Sequence, residues 1–145
     1  MVPINYLAVL LCAIAAMVLG FLWYGPLFGK KWSELMGWGT MTPEKMAEKQ
    51  KAARPAYAIT FVGALLMAYI LANAITLFLV AYPMEGADAF ATGPLFGFWA
   101  WLGFVVPVTI GQVLWDGKPW KLWLINVGYF LAQMLLMGAI LGYWM

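Results

Sequence analysis

Apolar residues fill four long stretches of this chain, at positions 4–24, 55–80, 90–115 and 120–144, and polar residues gather in the short segments between them. A helix needs roughly 20 residues to cross about 30 Å of hydrocarbon. Each stretch is long enough, so the pattern predicts an all-α polytopic membrane protein of four transmembrane helices, a single membrane domain over 1–145. The first span should end at Gly25-Pro26, because proline disfavours helix at the residue before it. Beyond it, Leu27, Phe28, Trp32, Leu35 and Met36 alternate with Lys30, Lys31 and Glu34 at near-helical spacing. That spacing predicts a short amphipathic helix lying in the membrane interface. Gly37-Trp38-Gly39 breaks it. Thr42-Pro43-Glu44 then reads as a helix start, with Thr as N-cap, Pro at the first position and an acid near the positive end of the dipole. This polar helix should run to Arg54 and close to, or into, the second span. Asp116-Gly117-Lys118-Pro119 is a turn signature, and so short a connection makes the third and fourth helices antiparallel neighbours.

Charge orients the bundle. Lys30, Lys31, Lys45, Lys49, Lys51 and Arg54 fall between the first and second spans, and Lys118 and Lys121 at the turn between the third and fourth. The loop between the second and third carries only Glu85 and Asp88. By the positive-inside rule, residues 25–54 and 116–121 are expected in the cytoplasm and both termini outside. Aromatic residues agree: Trp23, Trp32, Trp38, Trp115, Trp120 and Trp123 gather at the inner interface, and Tyr6, Tyr82, Tyr143 and Trp144 at the outer one. Met-Val-Pro-Ile-Asn lacks the positive region of a secretory signal, so the first helix is expected to stay in the mature protein.

At 145 residues, 66% hydrophobic and 10% charged, the chain lies far from soluble globular composition. A net charge of +2 with acids interleaved does not suggest nucleic-acid binding; the basic residues read as topology signals and contacts for anionic headgroups. Cys12 is the only cysteine and histidine is absent, which removes the usual zinc, haem and iron–sulfur ligand sets. Ser33 is the only serine, with no histidine to activate it. No cofactor is expected.

No charge sits mid-span, which argues against a carboxylate-driven pump. Uncharged polar residues form one-sided stripes instead: Tyr69, Asn73 and Thr76 on the second helix, Thr109, Gln112 and Asp116 on the third, and Asn126, Tyr129 and Gln133 on the fourth. Asn73, Thr109, Gln112, Asn126, Tyr129 and Gln133 are therefore the candidate polar seam or ligand site. Such side chains serve either as hydrogen bonds between helices or as the lining of a polar path. The hairpin puts Thr109 and Asn126 at similar depth, so Thr109 and Gln112 are expected to face Asn126. Pro107 should leave the carbonyl of Gly103 without its donor, making Gly103 and Pro107 the candidate kink, either for packing or as a hinge or solute site. Gly103, Pro107 and Gly111 share a face that a second helix can approach. Gly93-x-x-x-Gly97 and the looser Ala16-x-x-x-Gly20 are small-residue packing motifs. Leu22-Trp-Tyr-Gly25 and Leu114-Trp-Asp-Gly117 echo one another weakly, compatible with a parallel repeat or with chance.

The run Gly20-Phe-Leu-Trp-Tyr-Gly-Pro-Leu-Phe-Gly-Lys-Lys-Trp32, the Thr42-Pro43-Glu44 start, and the blocks Leu102-Gly-Phe and Leu114-Trp-Asp-Gly-Lys-Pro119 resemble domain-of-unknown-function family 1761 over essentially the full length. The resemblance implies small bacterial four-helix proteins of the plasma membrane, and it brings no activity, cofactor or catalytic residue. The expectation for function is a non-catalytic integral protein whose partners are the lipid bilayer and either copies of itself or a larger membrane complex. The alternative is a small channel, carrier or lipid-handling protein using the polar stripes; a membrane enzyme is disfavoured by the missing nucleophile and metal ligands.

Overall fold

The computed structural model describes residues 4–82 and 89–144; the loop carrying Glu85 and Asp88 lies outside them. Every regular element among the described residues is helical. Helix α1 (Tyr6–Leu22) is capped by Asn5, whose side chain accepts from the amides of Leu7 and Ala8. It continues into a π-helical turn, Trp23–Leu27. Two short helices follow, α2 (Gly29–Leu35) and α3 (Pro43–Ala52). Thr42 caps α3 through the Lys45 amide, with Pro43 in the first turn. Ala53 joins α3 to α4 (Arg54–Ala81) through backbone bonds on both sides, Ala53 N to Lys49 O and Tyr57 N to Ala53 O.

The third apolar segment is broken into α5 (Ala89–Ala100), a second π-helical turn (Trp101–Val105), α6 (Val106–Thr109) and α7 (Gly111–Leu114). A turn with Gly117 at φ +66° leads to α8 (Trp120–Tyr143). The Lys118 amide donates back to the Gln112 carbonyl at 3.0 Å and closes that turn. Four helical segments, Tyr6–Leu27, Arg54–Ala81, Phe90–Leu114 and Trp120–Tyr143, are long and apolar enough to cross a membrane.

The two π-turns explain how the chain accommodates Pro26 and Pro107. Proline has no N–H for the carbonyl four residues back. A π-turn hands each carbonyl to the donor five residues on, as Phe28 N does to Trp23 O at 2.8 Å and Val106 N to Trp101 O. The first span therefore does not stop at Gly25-Pro26 but winds past it, with Pro26 inside the π-turn. Near Pro107 the expected kink takes the same form: a change of helical register centred on Gly103, just before the proline. Thr109 Oγ1 donates to the Val105 carbonyl at 2.7 Å and supplies one more donor there.

Packing follows residue size. In hydrocarbon, helices associate through close van der Waals contact, which favours small side chains. Ala8, Cys12 and Ala16 on α1 and Ala64, Ala68 and Ala72 on α4 recur at i, i+4, i+8, and both triplets are buried in the core with Met137 and Leu141 of α8. The closest approach is between α5 and α8. A Cβ at Gly93 would strike the Gly138 carbonyl, one at Gly97 the Met134 carbonyl, and one at Gly138 the Gly93 carbonyl. The Gly93/Gly97 motif thus serves contact within the chain. Helix α8 holds the bundle together, packing on α1, α4 and α5.

Candidate functional site

Polar groups on α8 are spent mainly on the other spans. Asn126 Oδ1 accepts from the Tyr24 hydroxyl at 3.1 Å. Tyr129 OH donates to the Ala16 carbonyl at 3.2 Å, and Gln133, 4% exposed, points its Nε2 at Met67 Sδ at 3.8 Å. Two indoles grip α8 from different spans. Trp23 Nε1 donates to the Ile125 carbonyl at 3.0 Å and Trp101 Nε1 to the Val127 carbonyl at 2.8 Å. Both tryptophans open a π-turn, so the widened turns aim these rings. An indole N–H in hydrocarbon needs an acceptor, and helix carbonyls have a second lone pair to offer.

The expected meeting of Thr109 and Gln112 with Asn126 is not the one formed. Thr109 Oγ1 accepts from Trp123 Nε1 at 3.1 Å, three residues before Asn126, while the Gln112 side chain is exposed. Asn73 Nδ2 donates to the carbonyl of Tyr69 on its own helix at 2.8 Å. Of the six candidate residues, only Asn126 and Tyr129 come together around a common neighbour, Tyr24, whose ring lies 5.2 Å from that of Tyr129. The stripe on α8 marks the right face, but the facing partner is the first span. Around Gly103 the lipid-facing side is open, and a side chain placed there would meet nothing within 4 Å of its Cβ. The two Leu-Trp blocks are also unlike: Trp23 is bonded to α8, whereas Trp115 is 87% exposed.

Tyr24 and Tyr129 border a cavity between α1 and α4. Residues 54–60 of α4 are exposed, and burial against α1 begins at Ala64, so the two helices part toward the end that carries the basic residues. The cleft between them, about 670 Å³, is walled by Ala16, Met17, Gly20, Phe21, Tyr24 and Gly25 of the first span, Tyr57 and Thr60 of α4, Tyr129 of α8 and Gln50 of α3. An adjoining pocket of about 440 Å³ shares Tyr24, Gln50, Tyr57 and Thr60 with it and adds Trp32, Ser33, Trp38, Met46 and Lys49. Aromatic contacts link the two spaces. The Tyr24 ring packs edge-on to Trp32 at 5.4 Å, Trp32 edge-on to Trp38 at 4.8 Å, and Lys49 Nζ sits 4.3 Å over the Trp38 ring.

The walls therefore grade from apolar, deep in the bundle, to hydroxyl-bearing, amide and cationic at the mouth. Lys49 is the one charged residue among those lining either space. Among the described residues no group of His, Cys, Asp or Glu is placed to hold a metal ion. A third cavity, about 480 Å³ at the opposite end, is lined mostly by apolar residues with Asn5 and Thr76. Sequence reasoning picks out Tyr129 but misses Tyr24, Trp32, Trp38 and Lys49 as a group. The usable signal is the Trp-Tyr-Gly-Pro run, where a proline in a helical pattern announces a change of register.

The family described as protein of unknown function (DUF1761) matches residues 7–142. No curated protein and no solved structure matches the chain.

Proposed function

Since this chain belongs to the DUF1761 family, whose function is unknown and supplies no activity to inherit, we propose from its geometry that it is a non-catalytic, lipid-handling protein of the bacterial plasma membrane. In this reading both termini lie outside and residues 25–54 face the cytoplasm, as charge sorting supports. The observation that carries the proposal is the graded cleft between α1 and α4, apolar inside and polar at the basic end. A lipid has the same gradient, and membrane cavities between helices are the natural seats of such ligands. A solute pathway is less well supported, because the polar side chains of the second to fourth spans do not converge: Asn73 bonds its own helix, Thr109 bonds Trp123 and Gln112 is exposed.

The test is lipid retention. Protein extracted in mild detergent and probed by native mass spectrometry should carry bound phospholipid. Thr60→Trp, which fills the cleft from its α4 wall, should shed it while leaving helicity unchanged. Lipid-free wild-type protein that rebinds none on titration would refute the reading.

A second reading, an accessory subunit or self-associating protein, is supported by the third span. Its Leu102, Phe104, Val108 and Leu114 are exposed beside the open Gly103 position. Chemical crosslinking in native membranes through a single cysteine at Val108, in a Cys12→Ala background, distinguishes it: a discrete adduct supports a lateral protein neighbour and its absence opposes one.

A further inference from the structure

We infer that the pocket beneath α3 is a headgroup seat selective for an anionic, hydroxyl-bearing glycerophospholipid, with Lys49 as the partner of its phosphate. The inference rests on the lipid-handling reading and names the lipid. The pocket adjoins the cleft, and Tyr24, Gln50, Tyr57 and Thr60 line both. One molecule can therefore place an acyl chain against Gly20 and Phe21 while its headgroup reaches Lys49.

Charge sets the sign of the ligand. The segment 25–54 carries six basic residues against three acids, and one of those acids, Glu34, is paired with Lys31 at 3.2 Å. No carboxylate lines the pocket. A phosphate at its mouth meets Lys49 and no lining carboxylate.

The aromatic walls set the rest of the headgroup. A quaternary ammonium is recognised by aromatic faces, but the Trp38 face is already held by Lys49 at 4.3 Å, and Trp32 presents itself to Trp38 at 82°. A choline headgroup would have to displace Lys49 and bring its own cation beside it. A glycerol headgroup makes no such demand. Its hydroxyls find the Gln50 amide and the Tyr57 hydroxyl, which both donate and accept, and the Thr60 oxygen, which accepts because its own proton is given to the Ala56 carbonyl at 2.8 Å. The pairing selects phosphatidylglycerol over phosphatidylcholine.

The experiment titrates detergent-solubilised, delipidated full-length protein with dioleoylphosphatidylglycerol or dioleoylphosphatidylcholine and reads occupancy by native mass spectrometry. Wild-type protein should prefer the glycerol lipid by at least about five-fold, the weight of one basic residue at an anionic surface. Lys49→Gln should abolish that preference. Lys45→Gln removes the same charge from α3 outside the pocket and should keep it. Both lysines are exposed, so neither change threatens the fold. Equal binding of the two lipids by wild-type protein, or equal losses in the two variants, would overturn the headgroup assignment and leave the cleft reading standing. Failure of wild-type protein to bind either lipid would bring down both.

Discussion

Replacing Gly138 by alanine puts one methyl group into the tightest seam of this bundle. The new Cβ would fall into the Gly93 carbonyl and lie 2.8 Å from Pro94 N, where ordinary contact begins at 3.4 Å. Both obstacles are backbone, so no side chain can swing aside. The α5 and α8 axes must separate by more than half an ångström, and a gap of about 0.5–1 Å already forfeits a quarter to a half of each dispersion well it opens. With Gly97 on Met134 and Gly93 against Gly142 along the same seam, the loss spreads over about two turns of α8. Overpacking of this kind costs about 1–3 kcal/mol. Gly63→Ala is the control: nothing lies within 4 Å of its Cβ, and alanine is favoured over glycine in a helix by about 0.5–1 kcal/mol. Far-UV circular dichroism during thermal unfolding in a mild detergent measures both. Gly138→Ala should melt well below wild type, and Gly63→Ala at or above it. The Gly93→Ala/Gly138→Ala pair should cost less than the two single changes added, because the first already parts the helices. A Gly138→Ala protein as stable as wild type would refute the close α5–α8 seam.

Three further outcomes follow from named contacts. Trp101→Phe deletes the bond to the Val127 carbonyl and should lower stability by about 0.6–1.7 kcal/mol, the range for hydrogen bonds between membrane helices; Trp115→Phe, on a ring 87% exposed, should leave the melting curve unmoved. Asn126→Leu and Tyr24→Phe break one shared bond, so the double variant should be destabilised less than the sum, with a coupling of about 0.6 kcal/mol in the same assay. Single cysteines at Lys45 and Glu85, in a Cys12→Ala background, should be respectively protected from and labelled by a membrane-impermeant maleimide applied to intact cells; the reverse pattern would invert the topology.

Length and hydropathy are enough to read four helices and an all-α membrane protein, because a backbone in hydrocarbon must satisfy its own polar groups and helices do so locally. Caps are legible for the same local reason, at Thr42 and at the Asp116–Pro119 turn. The partner of each polar stripe is not. A stripe at i, i+3, i+7 assigns a face and says nothing about which helix stands opposite, so depth alone pairs Asn126 with Thr109, whereas Tyr24 of the first span takes it. Two faces of α8 explain the outcome. Gly138 lies against α5, and the polar residues look toward α1 and α4. The π-turns are half-visible, since Pro26 and Pro107 mark trouble in the ladder but not its resolution by a wider turn. The cleft is invisible, because it depends on where α4 parts from α1, a property of packing along both helices.

The dependence of three spans on α8 sets an order of assembly. Spans enter the bilayer as the ribosome delivers them, and α8 is the last of the four. Until it arrives, the indoles of Trp23 and Trp101 have no Ile125 or Val127 carbonyl to meet, across separations of 102 and 26 residues, and Gly93 and Gly97 have no backbone to close upon. The first three helices are inserted but unlatched. Translation arrested before Trp120 would leave membrane-integrated chains with unmet indole donors in hydrocarbon, at a cost of several kcal/mol each.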